Sequence, residues 1–153
     1  MVRVQDLFNL TPSMLMDFKA EIPEEKMVYY IAALREVARI GGVSSTEDRF
    51  IKNLITYLDL PADVPDKARN LTENQSLSLG ELTAKMEEPL LRVCLLRDAY
   101  VMVMLDENVD EVEWLTLERL AGALGLSHSV VKKVTRLVDD IVEIKAELEE
   151  LSE

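Results

Sequence analysis

Val43-Ser44-Ser45-Thr46-Glu47 and, 66 residues later, Val109-Asp110-Glu111-Val112-Glu113 are one turn written twice. In each, an apolar residue precedes a short polar one, and a Glu follows three residues on. A Ser or Asp at that place accepts a backbone N–H of the coming helix, and the Glu reaches back to the cap's own N–H. Each stretch therefore starts a helix. The same offset carries Leu54 onto Leu120, Leu58 onto Leu124 and Leu60 onto Leu126, and upstream Ala33 and Val37 onto Ala99 and Val103. Seven identities over residues 27–61 would be weak evidence alone, because apolar periodicity raises any such score. Turn, capping acid and apolar stripe coinciding at one offset is stronger. A single helical hairpin cannot bury its apolar face alone, and two packed together can.

Outward from the turns the chain reads as helices throughout. Thr11-Pro12 is a cap followed by proline at the first helical position, starting a short helix to about Lys19. Pro23 starts another, with Glu24 and Glu25 at the positive end of its dipole, running to Gly41-Gly42, a pair suited to a left-handed cap. Ile51, Leu54, Ile55 and Leu58 give the next helix one apolar face. Residues 61–77 hold Pro61, Pro65, Asn70 and Asn74 and read as a connector, with a helical turn around residues 66–70. Ser78 and Glu81 form a capping box for a short helix to about Glu88. Pro89 then opens a helix over residues 89–105 that is apolar on nearly every side, which places it at the centre of the fold. Ser127 caps the last helix. The expectation is an all-α, single compact domain of about seven helices, with hairpin one at 23–60, the connector at 61–77, hairpin two at 89–126 and the C-terminal helix at 127–151.

Composition narrows the function. The 153 residues carry a net charge of −12, a field that disfavours DNA, RNA and anionic lipid unless a local basic patch overrides it. It suits solubility, cations or basic protein partners. Cys94 is the single cysteine, so no disulfide framework exists, and its place in an apolar run reads as core. No apolar stretch follows Met1-Val2-Arg3-Val4-Gln5-Asp6 as a secretory signal requires. Residues 89–105 contain Arg92, Arg97 and Asp98 and are too short and too charged to span a bilayer. A cytoplasmic protein is expected.

A long helix, a turn of acidic-Gly-x-apolar-(Asp/Ser)-x-x-Glu type, and an amphipathic helix ending in Leu-Gly-Leu resemble the tellurite-resistance TerB-like family. Here that pattern stands as Asp106-Glu107-Asn108-Val109-Asp110-Glu111-Val112-Glu113, ending in Leu124-Gly125-Leu126. The first copy reads Ile40-Gly41-Gly42-Val43-Ser44-Ser45-Thr46-Glu47, ending in Leu58-Asp59-Leu60. The second copy has Glu107 where the family has Gly, and the first has Ile40 where the family has an acid. The resemblance covers residues 23–145. It implies an all-α fold, a link to stress or tellurite resistance, and acidic turn residues that bind cations. It implies no enzymatic activity.

The residues agree that catalysis is not readable. His128 is the one histidine, with no nucleophile or Glu-x-x-His spacing beside it, and reads as an exposed first-turn residue. Asp106-x-Asn108-x-Asp110 begins like a calcium loop, since hard cations want several oxygens on alternate residues. Position six is Glu111 rather than Gly, and position twelve is Leu117 rather than Glu, so this is not an EF-hand. A looser divalent-cation site, for example for calcium, would use Asp106, Asn108, Asp110 and Glu113, with Asp98 two turns earlier. The competing reading is a solvated acidic turn in which Asp110 and Glu113 form a capping box. Arg97 and Asp98 inside an apolar helix need partners, and Arg35, Glu36 or Arg39 of the first hairpin are the expected ones.

Val130, Val134, Leu137, Ile141, Ile144, Leu148 and Leu151 alternate at spacings of four and three, a coiled-coil seam. Val131, Val138 and Val142 widen it in its first half, as packing on the domain's own core requires. Residues 130–144 are therefore expected to dock within the domain. Residues 144–151 are left to meet a protein partner or to form a homodimer through the C-terminal helix, although two acidic ends side by side would repel.

Overall fold

The computed structural model describes residues 22–42, 45–104 and 111–152. Seven α-helices appear there and no strand. They are α1 (Glu24–Ile40), α2 (Ser45–Tyr57), α3 (Val64–Arg69), α4 (Leu79–Thr83), α5 (Pro89–Met104), α6 (Glu111–Ala123) and α7 (His128–Ser152). A π-helical turn, Asn70–Asn74, continues α3. The start of a helix at Thr11-Pro12 lies outside the described residues.

The duplication is exact at its second helix. α2 and α6 are both 13 residues long and begin and end 66 residues apart. They also stop in the same way. Leu60 N–H bonds Ile55 C=O at 3.1 Å and Asp59 N–H bonds Thr56 C=O at 3.1 Å. In the second copy Leu126 N–H bonds Ala121 C=O at 3.0 Å and Gly125 N–H bonds Gly122 C=O at 3.1 Å. Both ends close through one left-handed residue, Asp59 at φ 51° and Gly125 at φ 69°, which is how orphan carbonyls at a helix end are satisfied. Gly42, at φ 84°, performs the left-handed step after α1.

The repeat extends further than the hairpins. α1 packs on α2, α3, α5 and α6, and α5 packs on α6, α7, α1 and α2. Exchanging α1 with α5, α2 with α6 and α3 with α7 maps these neighbours onto one another and the α1–α5 pair onto itself. The two copies thus make matching sets of contacts, each as a three-helix unit. Val64, Lys67 and Leu71 of the first unit match Val130, Lys133 and Leu137 of the second at the same offset of 66. α4 has no counterpart; it fills the space between α1 and α6.

α5 was expected at the centre, and it shares that place with α1. Tyr30, Ile31, Ala32, Ala33 and Leu34 are fully buried on α1, as are Leu91, Leu95, Ala99 and Met102 on α5. Three buried alanines, Ala32, Ala33 and Ala38, let neighbours come close on several sides of α1. The charged Arg35, Glu36 and Arg39 hide this helix from a search for unbroken apolar runs.

The capping box at Ser78 and Glu81 forms in both directions, each bond 3.2 Å. The helix it starts ends at Thr83 rather than Glu88. Thr83 turns its hydroxyl back onto Leu79 C=O at 2.7 Å, and Met86 N–H closes a turn on Thr83 C=O, so the chain drops Met86 into the core instead.

Candidate functional site

Three places in this frame hold side chains that sequence reading singles out. The first is buried between α1 and α5. Asp98 is 2% exposed, and both its carboxylate oxygens accept hydrogen bonds. The Tyr30 hydroxyl donates to Oδ2, and Arg97 donates to Oδ1 through Nε at 3.2 Å and Nη2 at 3.0 Å. The expected partners lay one to two turns further along α1. Glu36 instead accepts from Arg39 Nε at 2.9 Å on its own helix, and Arg35 lies 3.9 Å from Glu73 of the π-turn. A search for opposite charge passes over Tyr30 because it is neutral. Burial, then the Asp98 charge, holds the Tyr30 hydroxyl well above its ordinary pKa. Burial likewise pushes the neighbouring Cys94 thiol up to about 11. A thiol that keeps its proton is a poor nucleophile. This cluster ties the two copies together, and its polar atoms are engaged with one another.

The second place is the pair of turns. Asp106, Asn108 and Asp110 of the candidate cation site lie outside the described residues, as do Val43, Ser44 and Val109. Glu113, on the first turn of α6, is 6% exposed, and its counterpart Glu47 on α2 is 5% exposed. A β-carbon added to Gly41 would stand 3.4 Å from Glu113 Cγ. The end of the first copy's long helix therefore abuts the start of the second copy's α6. Asp98 and Glu113 sit in different surroundings, one against Tyr30 and one against Gly41. Among the described residues no group of three His, Cys, Asp or Glu side chains is placed to hold a metal ion.

The third place is α7, and here the structure corrects the expectation. Residues 130–144 do not dock as a block. Val134 and Val138 are buried, and Val130, Val131, Ile141 and Val142 pack partly against the core. Leu137 is 57% exposed and Ile144 55%, as open as Leu148 at 61%; Leu151 reaches 82%. The seam is divided lengthwise rather than end to end. Leu137, Ile144 and Leu151 follow one another at seven-residue steps on one line of the helix. The core takes a neighbouring line, through Val134 and Val138, roughly 60–100° round the helix from Leu137. Val130, Val134 and Ile141 of the seam dock together with Val131, Val138 and Val142, which widened it.

Charge accompanies the open line. Lys133, Asp140 and Glu147 border it on the solvent side, and Arg136, Glu143 and Glu150 lie beyond them, all exposed. His128, Lys132, Lys133 and Arg136 gather around a shallow depression at the start of the helix. The second half is acidic. α7 is thus a helix with opposite charge at its two ends and an apolar line along it.

Tyr100 of α5 anchors α7 at its middle. Its hydroxyl donates to Asp139 at 2.9 Å, and its ring lies 5.9 Å from that of Trp114 on α6. Burial, and next the bond to Asp139, raises its pKa above the ordinary phenol value. Trp114, Val112 and Leu115 are 43%, 50% and 49% exposed. Further large exposed apolar side chains are Tyr57 and Leu90, so among the described residues eight of the nine sit in the second copy. No helix among the described residues is long and apolar enough to cross a membrane.

Set against family models, curated proteins and solved structures, the chain matches none of them.

Proposed function

We propose that this protein is a non-enzymatic, cytoplasmic protein-interaction module of TerB-like type, acting in a stress response such as resistance to tellurite. The observation that carries the reading is the open apolar line of α7, Leu137, Ile144, Leu148 and Leu151, on a helix already fixed by Val134 and Val138. Large apolar side chains set in a row on a rigid helix are the anchors of helix-mediated recognition, read at spacings of three, four and seven. Leaving them in water forgoes roughly 1.5–3 kcal/mol for each that a partner would bury. The TerB-like character is supported by the turn motif and by the duplicated helical plan.

The full chain, immobilised, should retain a protein partner from an extract of its own cells, and Leu137→Glu with Ile144→Glu should release it. A strain lacking the protein should grow less well on tellurite. Equal retention by wild type and variant would refute the interaction through α7, and unimpaired growth would refute the tellurite link.

A further inference from the structure

We infer that the occupant of the open α7 line is a second copy of this chain, its α7 running antiparallel to the first. The inference rests on the reading of α7 as an interaction surface and names the partner. Charge decides both the partner and its direction. The row nearest the seam reads Lys133, Asp140, Glu147 along the helix, and the next row Arg136, Glu143, Glu150. Both rows run from basic to acidic. In a parallel pair the row of Lys133, Asp140 and Glu147 on one helix faces the flank of Val131, Val138 and Ser152 on the other, where Lys133 and Glu147 meet no opposite charge. Turning one helix round lays Lys133 beside Glu147 at both ends of the pair, two opposite-charge contacts against one like-charge contact of Asp140 with Asp140 at the middle. The same rotation sets Leu137 against Ile144, and Val130 against Leu151, so the apolar line is covered along its whole length. Like-charge repulsion between the acidic ends disappears because they no longer meet.

The net charge of −12 on each copy does not overturn this. Beyond a Debye length of about 8 Å in physiological salt the two domains are largely screened from one another, whereas the seam and its flanking pairs are in contact. The helix also has the required reach. Its 25 residues span about 37 Å at 1.5 Å per residue, against 16 residues for α5 on which it lies. The basic patch at His128, Lys132, Lys133 and Arg136 acquires a role in the same stroke, as the complement of the acidic end of the other copy.

The experiment uses the full chain in two parts. Sedimentation velocity over about 1–200 µM should show a monomer–dimer equilibrium, and Leu137→Glu with Ile144→Glu should raise its dissociation constant about 30-fold or more, as loss of central anchors does. Orientation is then read by mixing chains carrying Lys133→Cys with chains carrying Glu147→Cys under mild oxidation. Cys94 is buried and stays protonated, so it does not compete. A mixed 133–147 disulfide is expected in preference to 133–133 and 147–147. A monomer at 200 µM, a dimer indifferent to the double Glu variant, or dominant 133–133 linkage would each overturn the inference. If the chain is monomeric yet the double Glu variant still loses a captured protein, the second copy is wrong and the interaction surface stands. If neither association nor capture responds, both fall.

Discussion

Ile31-Ala32 in the first copy and Arg97-Asp98 in the second occupy matching places on the two central helices. All four are buried. One copy meets the interior with apolar side chains, the other with an ion pair tied to Tyr30 of the first copy. A second contrast lies outside: where the first copy has Thr46, Asp48 and Arg49, the second has exposed Val112, Trp114 and Leu115. The third helices differ most. α3 gives way after six residues to a π-turn, while α7 continues for 25. Duplicating a helical unit solved the burial of its apolar face. Divergence afterwards put a polar tie between the copies and an apolar line on the surface of one of them.

The buried pair should break this comparison most severely. Asp98→Ala removes the buried carboxylate to which both Arg97 and Tyr30 donate, and should cost about 3–5 kcal/mol in equilibrium unfolding. Giving the second copy the first copy's residues, Arg97→Ile with Asp98→Ala, and removing the stranded hydroxyl by Tyr30→Phe, should recover most of that loss. A triple variant as unstable as the single one would mean that the pair is not the second copy's version of Ile31-Ala32.

Next in size are the matched leucines. Leu54 is 1% exposed and Leu120 fully buried, so Leu54→Ala and Leu120→Ala should each cost about 2–5 kcal/mol, and by similar amounts. A difference above about 2 kcal/mol between them would show that the copies do not share one core. The helix ends sharpen the comparison at smaller scale. Gly125→Ala forces a β-carbon into the left-handed region and should cost about 1 kcal/mol. Asp59→Gly relieves the same strain but frees the unfolded chain, leaving stability within about 0.5 kcal/mol of wild type.

Smallest is the exposed contact between α1 and the start of α5. Lys26 holds Glu88 below its ordinary carboxylate value of 4.5. A lowered folded-state pKa stabilises above the unfolded value, and that contribution fades as pH falls through the lowered one. Thermal melts of Glu88→Gln and wild type should therefore differ slightly at pH 7 and converge below pH 4. Curves that stay parallel to pH 3 would deny the pair any role.

Much of the fold was legible in the chain because its determinants are local. Ser78 with Glu81, Ser127 with Val130, and the Leu-Asp-Leu and Leu-Gly-Leu ends act within a few residues of themselves, and each does in the structure what its spacing implies. What escaped depends on contacts distant in sequence. Periodicity reports that α7 has a wide apolar band and is silent on which line of it the core will take. Polar and proline residues between 61 and 77 hid the kinship of α3 with α7, which only their matching positions on α1 and α5 reveal. Tyr30 offered no charge to search for. Of the candidate cation residues, Asp98, bonded to Tyr30 and Arg97, and Glu113, on the first turn of α6, are described, while Asp106, Asn108 and Asp110 fall outside the described residues.

Adjacent residues on α7 give the most direct test of the lengthwise division. Val138 is 2% exposed and Leu137 57%, one facing the core and the other the open line. Urea unfolding of Leu137→Glu, at a concentration where the chain is monomeric, should fall within about 0.5 kcal/mol of wild type, as a surface change does. Val138→Glu buries an unpaired carboxylate and should cost about 3 kcal/mol or more. Equal losses from both would make the whole heptad seam a core element, and no loss from either would mean that α7 does not dock on the domain at all.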